Sequence, residues 1–201
     1  MKMIAEESLE LLKKESKKLK KNKEIFDIIL YGSSVKGKRN ANDIDIIFIF
    51  RNKSLEKRLE ITQKFKKDFP KLKNLDIKSI NIEELFDSDF LARQGILTEG
   101  ISLIDKKPFS EKMGFNSFGF FTYETKTLSN TQKVKLSFTL NGRRGEKGIL
   151  NKLGAEKKGN GIILIPIKKM DLFSEFLEKW KINYELKNIL IPNYKWFQKI
   201  K

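Results

Sequence analysis

The chain has 201 residues, room for one large domain or two small ones, and its 39% hydrophobic content with 16 Phe excludes a wholly disordered polymer. It contains no Cys and no His, which rules out disulfides, thiolate and imidazole zinc sites, and every Ser-His-Asp or Cys-His nucleophile system. Lys plus Arg outnumber Asp plus Glu 42 to 26, a net charge of +16. The excess is uneven: residues 1–105 carry 22 basic against 18 acidic residues (+4), and 106–201 carry 20 against 8 (+12). A basic half beside a nearly balanced one points to a polyanion-gripping module joined to something else, although Lys, Glu and Ile are abundant throughout. Any catalysis must run on carboxylates, lysines, hydroxyls and bound metal. The longest apolar runs, such as 46–50, are too short to cross a bilayer, and no cleavage site follows an apolar N-terminal stretch. A cytoplasmic protein without membrane contact is expected.

In chain order, Ile4 to about Lys20 has the spacing of an amphipathic helix with Ile4, Leu11, Leu12 and Leu19 on one face. Ile25 to Tyr31 reads as a buried strand stopped by Gly32, and Asp43 to Phe50 as a second strand. Ser54 to Phe69 has helical spacing and is ended by Pro70. Leu75 to Ile80 is a third strand, Ile82 to Gln94 is expected to be helical, and Ile101 to Ile104 closes the first unit as a short strand-like segment.

A domain boundary is expected near 105–115, giving domains 1–105 and 106–201. The Phe-dense stretch Phe115 to Tyr123 reads as a packing joint rather than a base-stacking surface. Val134, Leu136, Phe138 and Leu140 alternate with polar residues, which fits a half-buried strand ended by Asn141-Gly142; a helix capped by Ser129 and stopped by the same pair is the rival. Ile162 to Ile167 reads as an edge strand because of Pro166, Asp171 to Trp180 as an amphipathic helix, and Asn183 to Ile191 as a returning strand. No internal repeat and no low-complexity segment is present.

The block that carries chemistry is Ile28 to Phe50, IILYGSSVKGKRNANDIDIIFIF. Side chains at i and i+2 of a strand share a face, so Asp43 and Asp45 project together while Ile44 and Ile46 turn to the core. Two carboxylates so placed can bracket a pair of Mg²⁺ ions, the arrangement used in phosphoryl transfer. Gly32 permits close backbone approach, and the Ser33 hydroxyl with nearby N–H groups can cradle phosphates. No Walker A sequence and no G-x-G-x-x-G is present, which removes the P-loop and dinucleotide-binding readings.

Gly32-Ser33, a nine-residue spacer from Ser34 to Asn42, and Asp43-x-Asp45 between apolar strands resemble the signature of the DNA polymerase β-like nucleotidyltransferase superfamily, especially its minimal members. The resemblance covers roughly 1–105. It implies an α+β chain: a mixed, palm-like sheet with flanking helices, followed here by a small basic α+β domain. It also implies a third carboxylate on a later strand, matched by Asp76 between Leu75 and Ile77. On that basis Asp43, Asp45 and Asp76 are the catalytic, metal-binding set. Gly32, Ser33, Ser34 and Lys36 are the nucleotide-binding set, and Mg²⁺ is the cofactor. Ser34 stands where many minimal members carry Arg, and Lys36 at a second frequent Arg position.

Two basic loops, 142–148 with Arg143, Arg144 and Lys147, and 156–161 with Lys157 and Lys158, are the candidate nucleic-acid contacts. The reaction expected is transfer of a nucleoside monophosphate from a triphosphate, ATP among the candidates, to an acceptor hydroxyl on RNA or DNA. Two alternatives stay open: an antitoxin-type protein AMP-transferase with a protein partner, and a nucleic-acid-binding module with a vestigial site.

Overall fold

The computed structural model describes residues 6–35, 43–70, 72 and 74–193. The chain divides into two compact units, Met1–Gly114 and Phe115–Lys201.

In the first unit, helix α1 (Glu6–Lys18) and a 3-10 turn (Leu19–Lys21) lead into β1 (Ile25–Tyr31), a 3-10 turn (Gly32–Ser34), β2 (Ile44–Phe50), α2 (Leu55–Lys67) and β3 (Leu75–Asn81). A 3-10 turn (Glu84–Phe86), α3 (Arg93–Glu99), β4 (Ile101–Ser102) and the short α4 (Phe109–Lys112) complete it. The strands form one mixed sheet in the order β3-β2-β1-β4, with β2 parallel to β3 and antiparallel to β1. The apolar run of β2 is explained by cover on both faces. Ile46, Phe48 and Phe50 pack with Leu12 of α1 and with Phe65 and Phe69, whereas Ile47 and Ile49 pack with Leu85, Ile96 and Phe109. All five of these β2 side chains are fully buried, each burial worth about 1.5–3 kcal/mol.

Helix α1 is described from Glu6, the expected Ile4 lying outside the described residues, and Leu12 rather than Leu11 enters the core, Leu11 being 44% exposed. Helix α2 is capped by Ser54, whose side chain accepts the Lys57 N–H. The helix expected over 82–94 does not form. Asp87 accepts a hydrogen bond from the Asp89 N–H, a local turn that competes with helical bonding, and the α-helix starts only at Arg93. Residues 102–112, ahead of the division after Gly114, are held by polar contacts. The buried Asp27 carboxylate accepts hydrogen bonds from Ser102 Oγ (2.8 Å) and from Lys112 Nζ (2.7 Å), and Lys112 also reaches Asp105 (3.3 Å). This network ties 102–112 to β1.

The second unit runs β5 (Phe115–Tyr123), α5 (Asn130–Asn141), the hairpin β6 (Gly142–Arg143) and β7 (Glu146–Lys147), α6 (Ile149–Leu153), β8 (Glu156–Gly159), β9 (Ile162–Pro166), a 3-10 turn, α7 (Met170–Lys179) and β10 (Tyr184–Pro192). Its main sheet is antiparallel in the order β10-β5-β9-β8. Phe121, Ile163 and Ile165 of that sheet pack with Leu136 and Leu140 of α5 and with Phe173 and Leu177 of α7. Phe121 and Phe173 meet edge to face at 4.9 Å.

Three expectations are corrected here. Residues 134–140 are helical: Ser129 accepts the Gln132 N–H while Gln132 Oε1 accepts the Ser129 N–H, a reciprocal cap that commits the segment to α5. Strand β9 is internal rather than at an edge. Pro166 is its last residue, where a missing N–H costs least, and β8 covers its free side. Residues 156–159 are therefore an edge strand and not a loop.

Candidate active site

The candidate site lies where β1 ends and β2 and β3 begin. Tyr31 is the register partner of Asp45 across the antiparallel pair, and Asp45 is the partner of Asp76 across the parallel pair. Register partners share a face, so the two carboxylates leave the sheet on the same side from strands about 4.8 Å apart. Asp43 immediately precedes β2 and is exposed, as is Asp76, while Asp45 is half-buried. Further down the same face come Ile47 and Ile49, both 0% exposed. The carboxylates thus cap a buried apolar wall rather than sit on an open surface.

Gly32 closes the site from below. Its φ is +76°, and a Cβ there would collide with Oδ2 of Asp45. Only glycine permits both the left-handed turn and the close approach. The Gly32–Ser34 turn is closed by the Val35 N–H donating to the Gly32 carbonyl at 3.3 Å, and Ser33 is exposed on it. Ser34 lies in the same turn; Lys36 falls outside the described residues.

Electrostatics record the crowding. The Asp45 carboxyl is pushed above the usual range, first by burial and then by Asp76 and Asp43, with Lys78 opposing. The Tyr31 phenol is pushed up to about 12, first by burial and then by Asp45 and Asp76, so it keeps its proton at neutral pH. Both groups respond to excess negative charge at one end of the sheet, a field that favours a cation. The donors are carboxylate oxygens only, which suits a hard ion such as Mg²⁺. They are gathered rather than closed into a cage: among the described residues no three acidic side chains are tight enough to hold an ion by themselves.

Sequence reading missed Tyr31 and Lys78. Both were within reach of the reasoning that found the aspartates, since Tyr31 directly precedes Gly32 and Lys78 follows Asp76 by the same i, i+2 step.

In the second unit, Arg143, Arg144 and Lys147 share one hairpin. Lys157 and Lys158 lie apart from it in sequence on β8, where Lys158 pairs with Glu156 at 2.6 Å. Among the described residues, no helix is long and apolar enough to cross a membrane.

Residues 13–109 match the family described as polymerase beta, nucleotidyltransferase. No curated protein and no solved structure gives a significant match to the chain. The matched segment contains all four strands of the first sheet, the Gly32 turn and the three aspartates. Residues 13–109 are therefore similar to a nucleotidyltransferase domain of the polymerase beta superfamily.

Proposed function

We propose that the protein transfers a nucleoside monophosphate from a nucleoside triphosphate to a hydroxyl on RNA or DNA. The observation that carries this reading is the convergence of Asp43, Asp45 and Asp76 at one sheet end, with the Gly32 turn pressed against Asp45. A Mg²⁺ pair, when bound by these three carboxylates, supplies charge neutralisation for the triphosphate and acidifies the acceptor hydroxyl.

In the reaction the acceptor oxygen attacks the α-phosphorus, the bond from that phosphorus to the bridging oxygen of the β-phosphate breaks, and pyrophosphate leaves. Asp76, the most open of the strand carboxylates, takes the hydroxyl proton; no histidine exists to do so. Gly32, Ser33 and Ser34 offer backbone N–H groups, and Ser33 its hydroxyl, to the β- and γ-phosphates, with Lys36 close in sequence. Lys78, on the Asp76 face of β3, adds a positive charge beside the reacting phosphates. The basic side chains Arg143, Arg144, Lys147, Lys157 and Lys158 hold the acceptor backbone, in keeping with 17 basic against 7 acidic residues (+10) in Phe115–Lys201.

The test is incubation of the purified chain with Mg²⁺ and each labelled triphosphate, with and without bulk RNA or DNA, beside the Asp43→Ala/Asp45→Ala variant. Label on nucleic acid that disappears in the variant is the expected outcome. Label on protein alone replaces the acceptor by a protein hydroxyl, the antitoxin-type activity. No transfer, with nucleic-acid binding intact, makes the carboxylates a relic on a binding module.

A further inference from the structure

The basic hairpin of the second unit does more than spread charge. Helix α5 sends Leu136 and Leu140 into the core, which leaves Phe138 on its outer side and 40% exposed. The guanidinium of Arg143 lies over that ring, 4.5 Å from its centroid, within cation–π range. A cavity of about 490 Å³ opens beside the pair, lined by Phe138, Arg143, Lys147, Lys152 and Phe176 among others. That volume falls in the ordinary range for ligand sites. From Gly142 to Leu153 the chain carries four cations, Arg143, Arg144, Lys147 and Lys152, against Glu146 alone.

The base of the cradle is closely packed. Gly142 has φ +92°, and Arg144 and Gly145 at the tip have φ +52° and +87°. A Cβ on Gly142 would strike the Glu146 carbonyl, and one on Gly148 the Leu140 carbonyl. The hairpin base is thus locked against the end of α5. The backbone that carries these side chains is therefore set in place, which lowers the cost of binding.

A flat aromatic ring, a planar guanidinium and two flanking ammonium groups form the set that binds unpaired nucleotides. Bases stack on the rings and guanidinium planes, and the cations take the phosphates. A duplex, with its bases already stacked inside, offers the cradle phosphates only. We infer that the Phe138–Arg143 cradle holds an unpaired nucleotide of a single-stranded polynucleotide, beside Lys147 and Lys152. This deepens the acceptor reading above and rests on it for the class of ligand.

The experiment is fluorescence anisotropy of the full chain with a labelled single strand of about 12 nucleotides, RNA and DNA separately, and with the blunt duplex of the same sequence. Phe138→Ala, Phe138→Tyr and Arg143→Ala are compared, each with a thermal melt to establish that it folds. Single strand is expected to bind more tightly than duplex. Phe138→Ala should weaken the single strand about 10-fold and leave the duplex unchanged, while Phe138→Tyr stays within about 2-fold of the parent. Arg143→Ala should reduce the salt slope for the single strand by about 0.7, whereas Phe138→Ala should leave that slope alone.

The inference is overturned by a folded Phe138→Ala that binds the single strand like the parent, by equal losses for strand and duplex, or by a parent chain that binds neither. The Asp43→Ala/Asp45→Ala variant separates the two readings, because its single-strand binding should be intact. A Phe138-dependent single-strand site without any transfer removes the transferase reading and keeps the cradle. Transfer to nucleic acid with Phe138-independent binding does the reverse.

Discussion

The two units solve different problems with similar amounts of chain. The first buries both faces of a mixed sheet and concentrates like charge at one end of it, where Asp45 and Asp76 are neighbours in register. The second backs an antiparallel sheet with helices and carries its candidate nucleic-acid contacts on a short hairpin and an edge strand, outside the core. Under the proposed function, the contrast follows from what each charge would do. Carboxylates that hold an ion have to be fixed relative to one another, and strands in register provide that. Cations that grip a polymer need reach and a common sign, which a projecting hairpin provides.

The comparison is broken or sharpened by four further changes, taken from the largest expected effect down. Ala at both Asp43 and Asp45 should reduce transfer by about 10³-fold and leave nucleic-acid affinity within about 2-fold, measured as label incorporation and anisotropy. A parallel loss of affinity would mean that the acceptor is gripped by the first unit. Lys112→Met should cost roughly 3 kcal/mol in denaturant unfolding, because Asp27 is left buried and without its cation. An unchanged midpoint would detach 106–114 from the first unit. Ser129→Ala should cost about 1 kcal/mol by removing the α5 cap, read from the same unfolding curves.

The smallest effect concerns Asp45 itself. Its folded pKa is raised, so the folded state holds the proton more tightly than the unfolded chain. That contribution is present in acid and is lost as pH rises through the window above the ordinary carboxylate value. Asp45→Asn should therefore raise Tm by roughly 1–2 °C at pH 7 in the absence of divalent ions, screening by solvent keeping the gain small, and by nothing near pH 3. A lower Tm at pH 7 would show that the carboxylate is already compensated.

Much of the first unit was legible because its strands are long apolar runs that end at glycine or begin at aspartate. Ile25–Tyr31 could be placed to the residue and the start of the next strand to within one, Asp43 immediately preceding β2, since local sequence sets where such runs stop. In the second unit local sequence served two patterns at once. The spacing of Val134, Leu136, Phe138 and Leu140 satisfies both the period of a strand and the i, i+4 pairing of a helix. The Ser129–Gln132 cap decided it, and that signal was present in the sequence but outweighed by the alternation. The edge assignment of 162–166 failed for another reason: Pro166 marks the end of a strand as readily as its free side, and only the pairing of β8 shows which.

The sequence by itself determined the chemistry available to this protein. No Cys or His leaves carboxylates, lysines and hydroxyls, and the Gly-Ser turn before Asp-x-Asp marks the proposed site. Tertiary structure alone decided what lies opposite what. That Asp76 stands beside Asp45, that a side chain at position 32 would collide with that carboxylate, and that Arg143 covers Phe138 depend on register and on helix ends meeting strands. Those are contacts between residues distant in the chain or turned together by a tight bend, and no local preference specifies them.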